Sequence, residues 1–193
     1  MKNTNTLNDD QLINLYLDGD ANAFSILVNR HKSKIYTSIY LLVKDEHVAE
    51  DIFQDLFIRI IESLNNGAYS ESGKFSSWAI RIAHNLCMDH YRKQKRSPIV
   101  KASEVIEVHL DYHISESGYD VSIIQNETGQ QVRKLIDKLP EEQREIIILR
   151  HYANLSFKEI AALSNISINT ALGRMRYALM NVRKMMPEIQ MAC

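Results

Sequence analysis

Apolar positions recur every three or four residues along most of the chain, the spacing that puts side chains on one face of a helix. The longest stripe follows intervals of three, four or seven residues through Phe24, Leu27, Val28, Ile35, Ile39 and Leu42. No segment alternates apolar and polar positions in the way that predicts a half-buried strand. We therefore expect an all-α fold, with the stripe facing a core.

Capping residues predict where the helices of the first half begin and end. Asn8, with a glutamine three positions later, is typical of a helix start, and Gly19 marks the end of that helix. Further starts and stops occur at Asp20, Asp45, Asn65-Asn66-Gly67, Phe75 and Pro98. These signals predict one helical unit over residues 1–97.

The last part of the chain, residues 125–193, predicts a second helical unit that contains a helix-turn-helix. Pro140 suits the first position of a helix. Ser156-Phe157-Lys158-Glu159 is a capping box before a short helix, and Ser167 caps a last helix that runs through Lys184. A short capped helix, a tight turn and a longer helix form the motif whose second helix enters the DNA major groove.

Polar side chains near the start of this last helix are candidates for DNA contact. Exposed residues in the first turns can reach base edges, and arginine can bridge guanine, so Asn169, Arg174 and Arg176 are candidates for base reading. Arg183 and Lys184 lie farther along the helix and suit phosphates. The alternative interpretation is a plain helical hairpin with a solvated basic face.

Charge is arranged in blocks, although the formal net charge of the chain is only -1. Within residues 81–96 a single acid, Asp89, faces five bases, namely Arg81, Arg92, Lys93, Lys95 and Arg96. The segment 98–124 is rich in acids, and no Lys or Arg stands between residues 102 and 127, which favours an acidic flexible linker. The low net charge argues against a protein that coats nucleic acid, whereas the blocks permit local contacts.

The composition also excludes several classes of protein. In the 193 residues no apolar run approaches the roughly 18 positions of a membrane span, and the N-terminus has no secretory signal, so we expect a cytoplasmic protein. Cys87 and Cys193 are the only cysteines and form no disulfide framework. No phosphate loop, nucleophile elbow or HExxH motif occurs, so we expect neither an enzyme nor a small-molecule substrate.

Metal binding is the weaker interpretation of the histidines. His84, Cys87 and His90 could share a helical face, and His109 and His113 are four positions apart. Structural zinc needs four ligands, and neither group has a fourth. We expect no metal and no cofactor.

The predicted third helix carries an acidic stripe. Asp51 and Asp55 stand four positions apart, with Glu50 and Gln54 beside them. Like charges at that spacing destabilise an isolated helix by roughly 0.2 to 0.5 kcal/mol, so the stripe suggests a basic partner. The alternative is a solvated face on which Arg59 pairs with Asp55.

The predicted fourth helix joins an aromatic start to a basic end. Phe75 and Trp78 beside positive charge suit single-stranded DNA, because bases can stack on the rings while phosphates meet the cations. Trp78 can equally be a core residue. The loop Asn65–Lys74 before it can hold an unstacked base or serve as a plain connector.

Three motifs occur in series along the chain. They are Val48–Phe57, which matches "AEDxxQDxF", Phe75–Arg92, which matches "FxxWLxRIAxNxxxDxxR", and Leu139–Glu145 with Asn169–Arg176. In this order they resemble regions two and four of the sigma-70 family of bacterial RNA polymerase sigma factors, in its extracytoplasmic-function (ECF) group. The resemblance runs from about Leu12 to Lys184 in the family's order and implies two small helical domains, regions two and four, joined by the acidic linker.

The resemblance implies roles for the residues that match the family. The residues of the acidic stripe, Glu50, Asp51, Gln54 and Asp55, would dock on the β′ clamp helices of core RNA polymerase. The loop Asn65–Lys74 would capture a flipped base of the minus-ten element, and the residues lining that DNA would be Phe75, Trp78, Asn85, Arg92, Lys93 and Arg96. The minus-thirty-five element would be read by Ser167, Asn169, Thr170, Arg174, Arg176, Arg183 and Lys184.

The implied partners are core RNA polymerase, through its β′ clamp helices and β flap, promoter DNA, and an anti-sigma factor. Leu172, Gly173 and Tyr177 depart from the polar, serine and basic residues common in the family at those positions. Two other functions compete with this one. A dimeric operator-binding regulator would leave the acidic stripe unexplained, and an adaptor that binds only through helical faces would leave the basic blocks unexplained.

Overall fold

The structure, a computed structural model, describes residues 6–70, 73–96 and 127–190, and every regular element in these ranges is helical. The first unit, residues 6–96, contains helices α1 (Asp9–Leu17), α2 (Ala21–Val43), α3 (Glu46–Asn65) and α4 (Phe75–Arg96). The all-α prediction is confirmed. The predicted linker, residues 98–124, and the histidines His109 and His113 lie outside the described residues.

The first unit begins and ends its helices where the capping signals predict. The Asn8 side chain accepts from the Gln11 backbone N–H and the Gln11 side chain accepts from the Asn8 N–H, both at 2.9 Å, which completes a capping box. Asp45 accepts from the Val48 N–H at 3.0 Å. Gly67 has a φ of +67°, a conformation that favours glycine, directly after α3.

Helix α2 lies at the centre of the first unit and packs on α1, α3 and α4. Its predicted stripe faces inward, since Leu27, Ile35 and Ile39 have no exposed surface. On α3, Leu56 and Ile60 are equally buried. The acidic side chains therefore lie on the opposite, solvent-facing side of that helix. Apolar burial of this kind fixes which side of α3 faces solvent.

The second unit contains helices α5 (Glu127–Asp137), α6 (Glu141–Ile147), α7 (Phe157–Leu163) and α8 (Ile168–Gln190). The sequence predicts that α6 starts at Pro140 and runs through Leu149. Pro140 instead immediately precedes α6, and the helix widens into a π-helical turn, Ile148–Tyr152. This turn also contacts α2 of the first unit, so the consecutive residues Ile146, Ile147, Ile148 and Leu149 are all buried.

The helix-turn-helix is formed by α7 and α8. Ser156 and Glu159 make the predicted capping box, with the Ser156 hydroxyl accepting from the Glu159 N–H at 3.2 Å. Asn165, in the turn, has a φ of +52°. Ser167 caps α8 by accepting from the Thr170 N–H at 3.0 Å. Helix α8 continues beyond the predicted end at Lys184.

The two units share one apolar core, which the sequence does not predict. Ile136 and Leu139 from the second unit are buried in the same cluster as Tyr36, Tyr40 and Leu41 of α2. The chain therefore folds with its two helical units packed against each other.

Candidate nucleic-acid and protein interfaces

The acidic face of α3 consists of Glu50, Asp51, Gln54 and Asp55. Glu50 is half-buried and the other three are exposed. Within the described parts of the chain, no ion pair joins Arg59 to Asp55 or gives any of these acids a basic partner. The face therefore presents uncompensated negative charge, and the alternative in which Arg59 neutralises Asp55 is not what the structure contains.

An open apolar groove of about 540 Å³ adjoins this face, between α2 and α3. Its lining residues are Phe24, Ser25, Val28, Asn29, Phe53, Gln54, Phe57, Ile58 and Ile61. Ile58 is 56% exposed, which is unusual for a large apolar side chain beside a core. Because Gln54 belongs to both the groove and the acidic face, the two features form one continuous surface.

An aromatic cluster of Tyr69, Phe75 and Trp78 stands where α4 begins. The ring centroids of Tyr69 and Trp78 are 4.8 Å apart in an edge-to-face arrangement, and those of Phe75 and Trp78 are 5.9 Å apart. Phe75 has no exposed surface, whereas Tyr69 and Trp78 are half-buried. Only the last two can therefore offer a ring to a base, and Phe75 supports them from the core.

The exposed side of α4 carries Asn85 in the middle of the helix and the predicted basic residues toward its end. Asn85, Arg92, Lys93 and Arg96 are all exposed. Arg92 donates to Asp89 at 3.0 Å, but both side chains are largely solvated, so this pair is weak and easily exchanged for a phosphate.

Cys87, on the other face of α4, is buried. Burial raises the pKa of its thiol to about 12, so it stays protonated at neutral pH and is a poor nucleophile or metal ligand. Among residues 6–70, 73–96 and 127–190 no group of three or more His, Cys, Asp or Glu side chains is arranged to hold a metal.

Helix α8 displays the residues predicted to contact the minus-thirty-five DNA, with one exception. Ser167, Asn169, Thr170, Arg176, Arg183 and Lys184 are exposed. The exception is Arg174, whose side chain is 23% exposed and whose guanidinium lies 3.1 Å from the Glu142 carboxylate of α6. Arg174 is therefore engaged by another helix of the same unit, unlike the other predicted residues of α8.

Comparison with known proteins identifies the family. The description "Sigma-70 region 2" matches residues 27–97, and "Sigma-70, region 4" matches residues 129–182. The ECF RNA polymerase sigma factor SigW of Bacillus subtilis is 30% identical over 175 residues, which cover 89% of this chain and 92% of SigW. The chain belongs to the ECF RNA polymerase sigma factors. As a sigma factor it binds core RNA polymerase and directs promoter-specific initiation of transcription.

Other relatives of this sigma factor agree. The ECF RNA polymerase sigma-E factor of Escherichia coli is 30% identical over 176 residues, 87% of this chain and 88% of that protein. Two solved structures share its fold. The sigma factor RpoE from Bartonella quintana, in complex with the anti-sigma factor NepR, matches with a TM-score of 0.66 at 20% identity over 85% of this chain and 96% of that one. CnrH in complex with the cytosolic domain of CnrY matches with a TM-score of 0.62 at 21% identity, over 93% and 97%.

A buried pair joins the two units of the sigma factor. His84 of α4 is 3% exposed, and its Nε2 donates to Oε1 of Glu145 in α6 at 2.7 Å. The Ser164 hydroxyl donates to the same oxygen at 3.1 Å. Burial opposes ionisation of Glu145, but these two hydrogen bonds and the electrostatic interactions with His84 and Arg174 outweigh it and hold the pKa of the carboxyl below its ordinary value.

Two further contacts join the two units at the edge of the boundary between them. Arg133 of α5 donates to the Tyr40 hydroxyl at 2.6 Å, and its guanidinium lies 4.6 Å from the centre of that ring. Lys44, after α2, is 2.7 Å from the Asp137 carboxylate. Sequence reasoning missed all three pairs, because nothing local to His84, Arg133 or Lys44 indicates a partner some sixty to ninety positions away.

None of the helices in the described ranges combines the length and apolarity needed to cross a bilayer.

Proposed function

We propose that core RNA polymerase docks on the acidic face of α3 together with the apolar groove beside it. The single observation that carries this is the uncompensated charge of Asp51 and Asp55 next to exposed Ile58. Interfaces commonly combine an apolar centre with complementary charge at the rim, and such charge guides association. A basic helical partner, as the resemblance implies for the β′ clamp helices, would satisfy both features.

We further propose that the start of α4 reads the minus-ten element. Tyr69 and Trp78 supply half-exposed rings on which an unstacked base can lie. Asn85, Arg92, Lys93 and Arg96 continue along the exposed side of the same helix and suit the bases and phosphates that follow. Phe75 acts in this proposal as a support for the two rings rather than as a contact.

The minus-thirty-five element is assigned to the first turns of α8. Asn169, Thr170 and Arg176 are exposed there, and Arg183 and Lys184 lie two turns farther toward the phosphates. Two of the three departures from the family pattern, Leu172 and Tyr177, are also exposed, at 45% and 61%. Leu172 suits an apolar contact such as a thymine methyl, and Tyr177 adds a ring and a hydroxyl that can hydrogen-bond.

We propose that the two units separate when both elements are read. The elements lie some 25 base pairs apart, which is about 85 Å of duplex at roughly 3.4 Å per base pair. Residues 98–124 can cover about 90 Å when fully extended. In this proposal the packed arrangement joined by His84 and Glu145 belongs to the free chain, and the number of residues between the units permits the bound one.

Three parts of the proposal rest on the family. We propose that the chain itself has no catalytic role, that it works at the nucleoid with polymerase, and that an anti-sigma factor controls it. Support for the last point is that the two solved structures of the same fold are complexes, one of them with an anti-sigma factor by name.

The experiment is a titration of labelled chain with core polymerase, followed by transcription from a promoter library. Asp51→Lys and Asp55→Lys are expected to weaken polymerase binding by about tenfold to a hundredfold, because each places a like charge against a basic partner. Asp18→Lys, at an exposed position after α1, is the matched control and should bind as the wild type does. Equal binding of all four proteins would contradict the docking site, and a tight, specific gel shift without polymerase would favour the operator-binding regulator.

A further inference from the structure

We propose that α1 is a positioning element for minus-ten reading, acting through Asp9 and Asp10 on the aromatic cluster at the start of α4. This inference rests on the function proposed above. Helix α1 precedes residue 27, where the match to sigma-70 region 2 begins. One of its acids, Asp10, nevertheless contacts the loop that would receive the flipped base, and the other, Asp9, contacts α2 beside the aromatic cluster.

Asp10 holds the backbone immediately before α4. Its Oδ1 accepts from the Gly73 N–H at 2.9 Å, although the two residues are 63 positions apart. Gly73 has a φ of +72°, and Lys74, the next residue, accepts the first hydrogen bond of the helix from the Trp78 N–H at 3.0 Å. A carboxylate at this position also interacts favourably with the positive, N-terminal end of the α4 helix dipole. Asp10 thus fixes the point at which α4 begins.

Asp9 holds the other side of the same region. Its two oxygens accept from Arg30 at 2.7 Å and from His31 at 2.8 Å, both on α2. The His31 ring lies 5.3 Å from the ring of Phe75. Asp9 therefore keeps His31 against the buried member of the aromatic cluster.

A third contact completes the support from α2. Lys34 donates to the Ser76 hydroxyl at 3.1 Å, in the first turn of α4. Burial lowers the pKa of the Lys34 ammonium, in line with a side chain committed to this contact. The first turn of α4 is thus held from α1 and α2 together.

These contacts matter for base reading because stacking depends on ring position. Tyr69 packs on Trp78 and Phe75, so a shift in the start of α4 moves all three rings. A binding site requires its side chains to be held within about 0.5 Å of the productive geometry by a supporting shell. In this protein the supporting shell is Asp9, Asp10, His31 and Lys34.

A merely structural role for Asp10 predicts a different result from a positioning role. If Asp10 only stabilised the fold, its loss would reduce transcription from every promoter by the same factor. If it positions the rings, its loss changes the ratio between promoters that differ in the minus-ten bases. The ratio is therefore the informative measurement.

The test uses full-length chain assembled with core polymerase on a promoter library randomised in the minus-ten element. Asp10→Ala is expected to reduce the preference between the best and the median minus-ten sequence by about fivefold, on the scale of one weakened base contact. Asp10→Asn keeps an oxygen that accepts from Gly73 and should restore most of the preference. Asp18→Ala, an exposed acid elsewhere near α1, should leave the ratio unchanged, and polymerase affinity should be the same for all four proteins.

Two outcomes would overturn the inference. One is a uniform fall of Asp10→Ala activity across the library. The other is an Asp10→Ala preference identical to that of the wild type. In both cases a wild-type protein that selects promoters leaves the proposed function intact, whereas a wild-type protein that starts no RNA at any defined site removes that function itself.

Discussion

The acidic face of α3 and the start of α8 hold their charges in different ways. Asp51 and Asp55 have no basic partner within the described residues, whereas Arg174 is already joined to Glu142 at 3.1 Å. Uncompensated charge on a surface is available to a partner at once, while a paired side chain must first give up its contact. On the proposed assignment, the docking face of the first unit is accessible in the free chain, whereas Arg174 of the second unit has to leave Glu142 before it can contact DNA.

The boundary between the two units also contains charges that are already paired. Glu145 of the second unit meets His84 of the first, and Asp137 meets Lys44, so charges that face solvent in a separated unit are paired in the packed one. Breaking these pairs should affect how the units associate more than it affects either unit alone.

Replacing His84 with alanine should have the largest effect on stability. It leaves the Glu145 carboxylate without its partner in a largely buried site, which costs about 2 to 4 kcal/mol in free energy of unfolding. Urea denaturation measures this cost, and small-angle scattering should show a larger radius of gyration because the units separate.

Asp89→Asn is the matched control for His84→Ala. It removes an ion pair of the same helix, but one whose side chains are 48% and 68% exposed, and should cost less than about 0.5 kcal/mol. If His84→Ala cost no more than this control, the buried pair would contribute nothing to the association of the units.

Stability should fall in acid partly through Glu145. The pKa of Glu145 is lower in the folded chain than the ordinary value of 4.5. The contribution of its carboxylate to the free energy of unfolding is therefore fully present above pH 4.5 and is lost as the pH falls through the folded pKa. Glu145→Gln, which removes the titration but keeps an oxygen for His84, should lose less stability than the wild type as the pH falls below about 4.5.

The control for the acid response is Glu62→Gln, an exposed glutamate on α3. It should keep the wild-type dependence of unfolding free energy on pH. A Glu145→Gln protein with that same dependence would show that other carboxylates account for the loss.

Ser156→Ala should weaken the second unit by about 1 kcal/mol, the usual cost of losing an N-cap. The hydroxyl accepts from the Glu159 N–H and donates to the Glu159 carboxylate at 2.6 Å, so the change removes one side of the capping box. Hydrogen exchange should speed up in α7 and little in α1, whereas Ser156→Thr should retain protection. Equal acceleration in both helices would contradict a local effect.

Local features of this molecule were predictable from the sequence, and long-range ones were not. The capping boxes at Asn8 and Ser156 depend on residues three positions apart, so the pattern is complete within one segment. The partner of His84 lies 61 positions away and cannot be identified from the local pattern. From the sequence alone, His84 could therefore be considered only with its neighbours Cys87 and His90, as a possible metal ligand.

The site residues divide along the same line. That α3 is acidic and α8 basic at the surface follows from helical periodicity alone, whereas the burial of Phe75 and the pairing of Arg174 depend on neighbours from other helices. The π-helical turn after α6 has the same origin, because its residues pack on both units at once. Sequence patterns indicate which face a helix presents, but not which of those side chains another helix has already engaged.

The smallest expected effect tests the pairing of Arg174 directly. Glu142→Gln removes the acid that holds the guanidinium and should tighten binding of the polymerase complex to the minus-thirty-five element by about twofold to fivefold, the worth of one exposed ion pair. Glu141→Gln, at the neighbouring exposed position, changes the net charge equally without touching Arg174 and is the matched control. Because both variants raise the net charge by one, only a difference between them reports release of the arginine. Equal gains would mean that bulk charge, not the exchange of a partner, governs access of α8 to DNA.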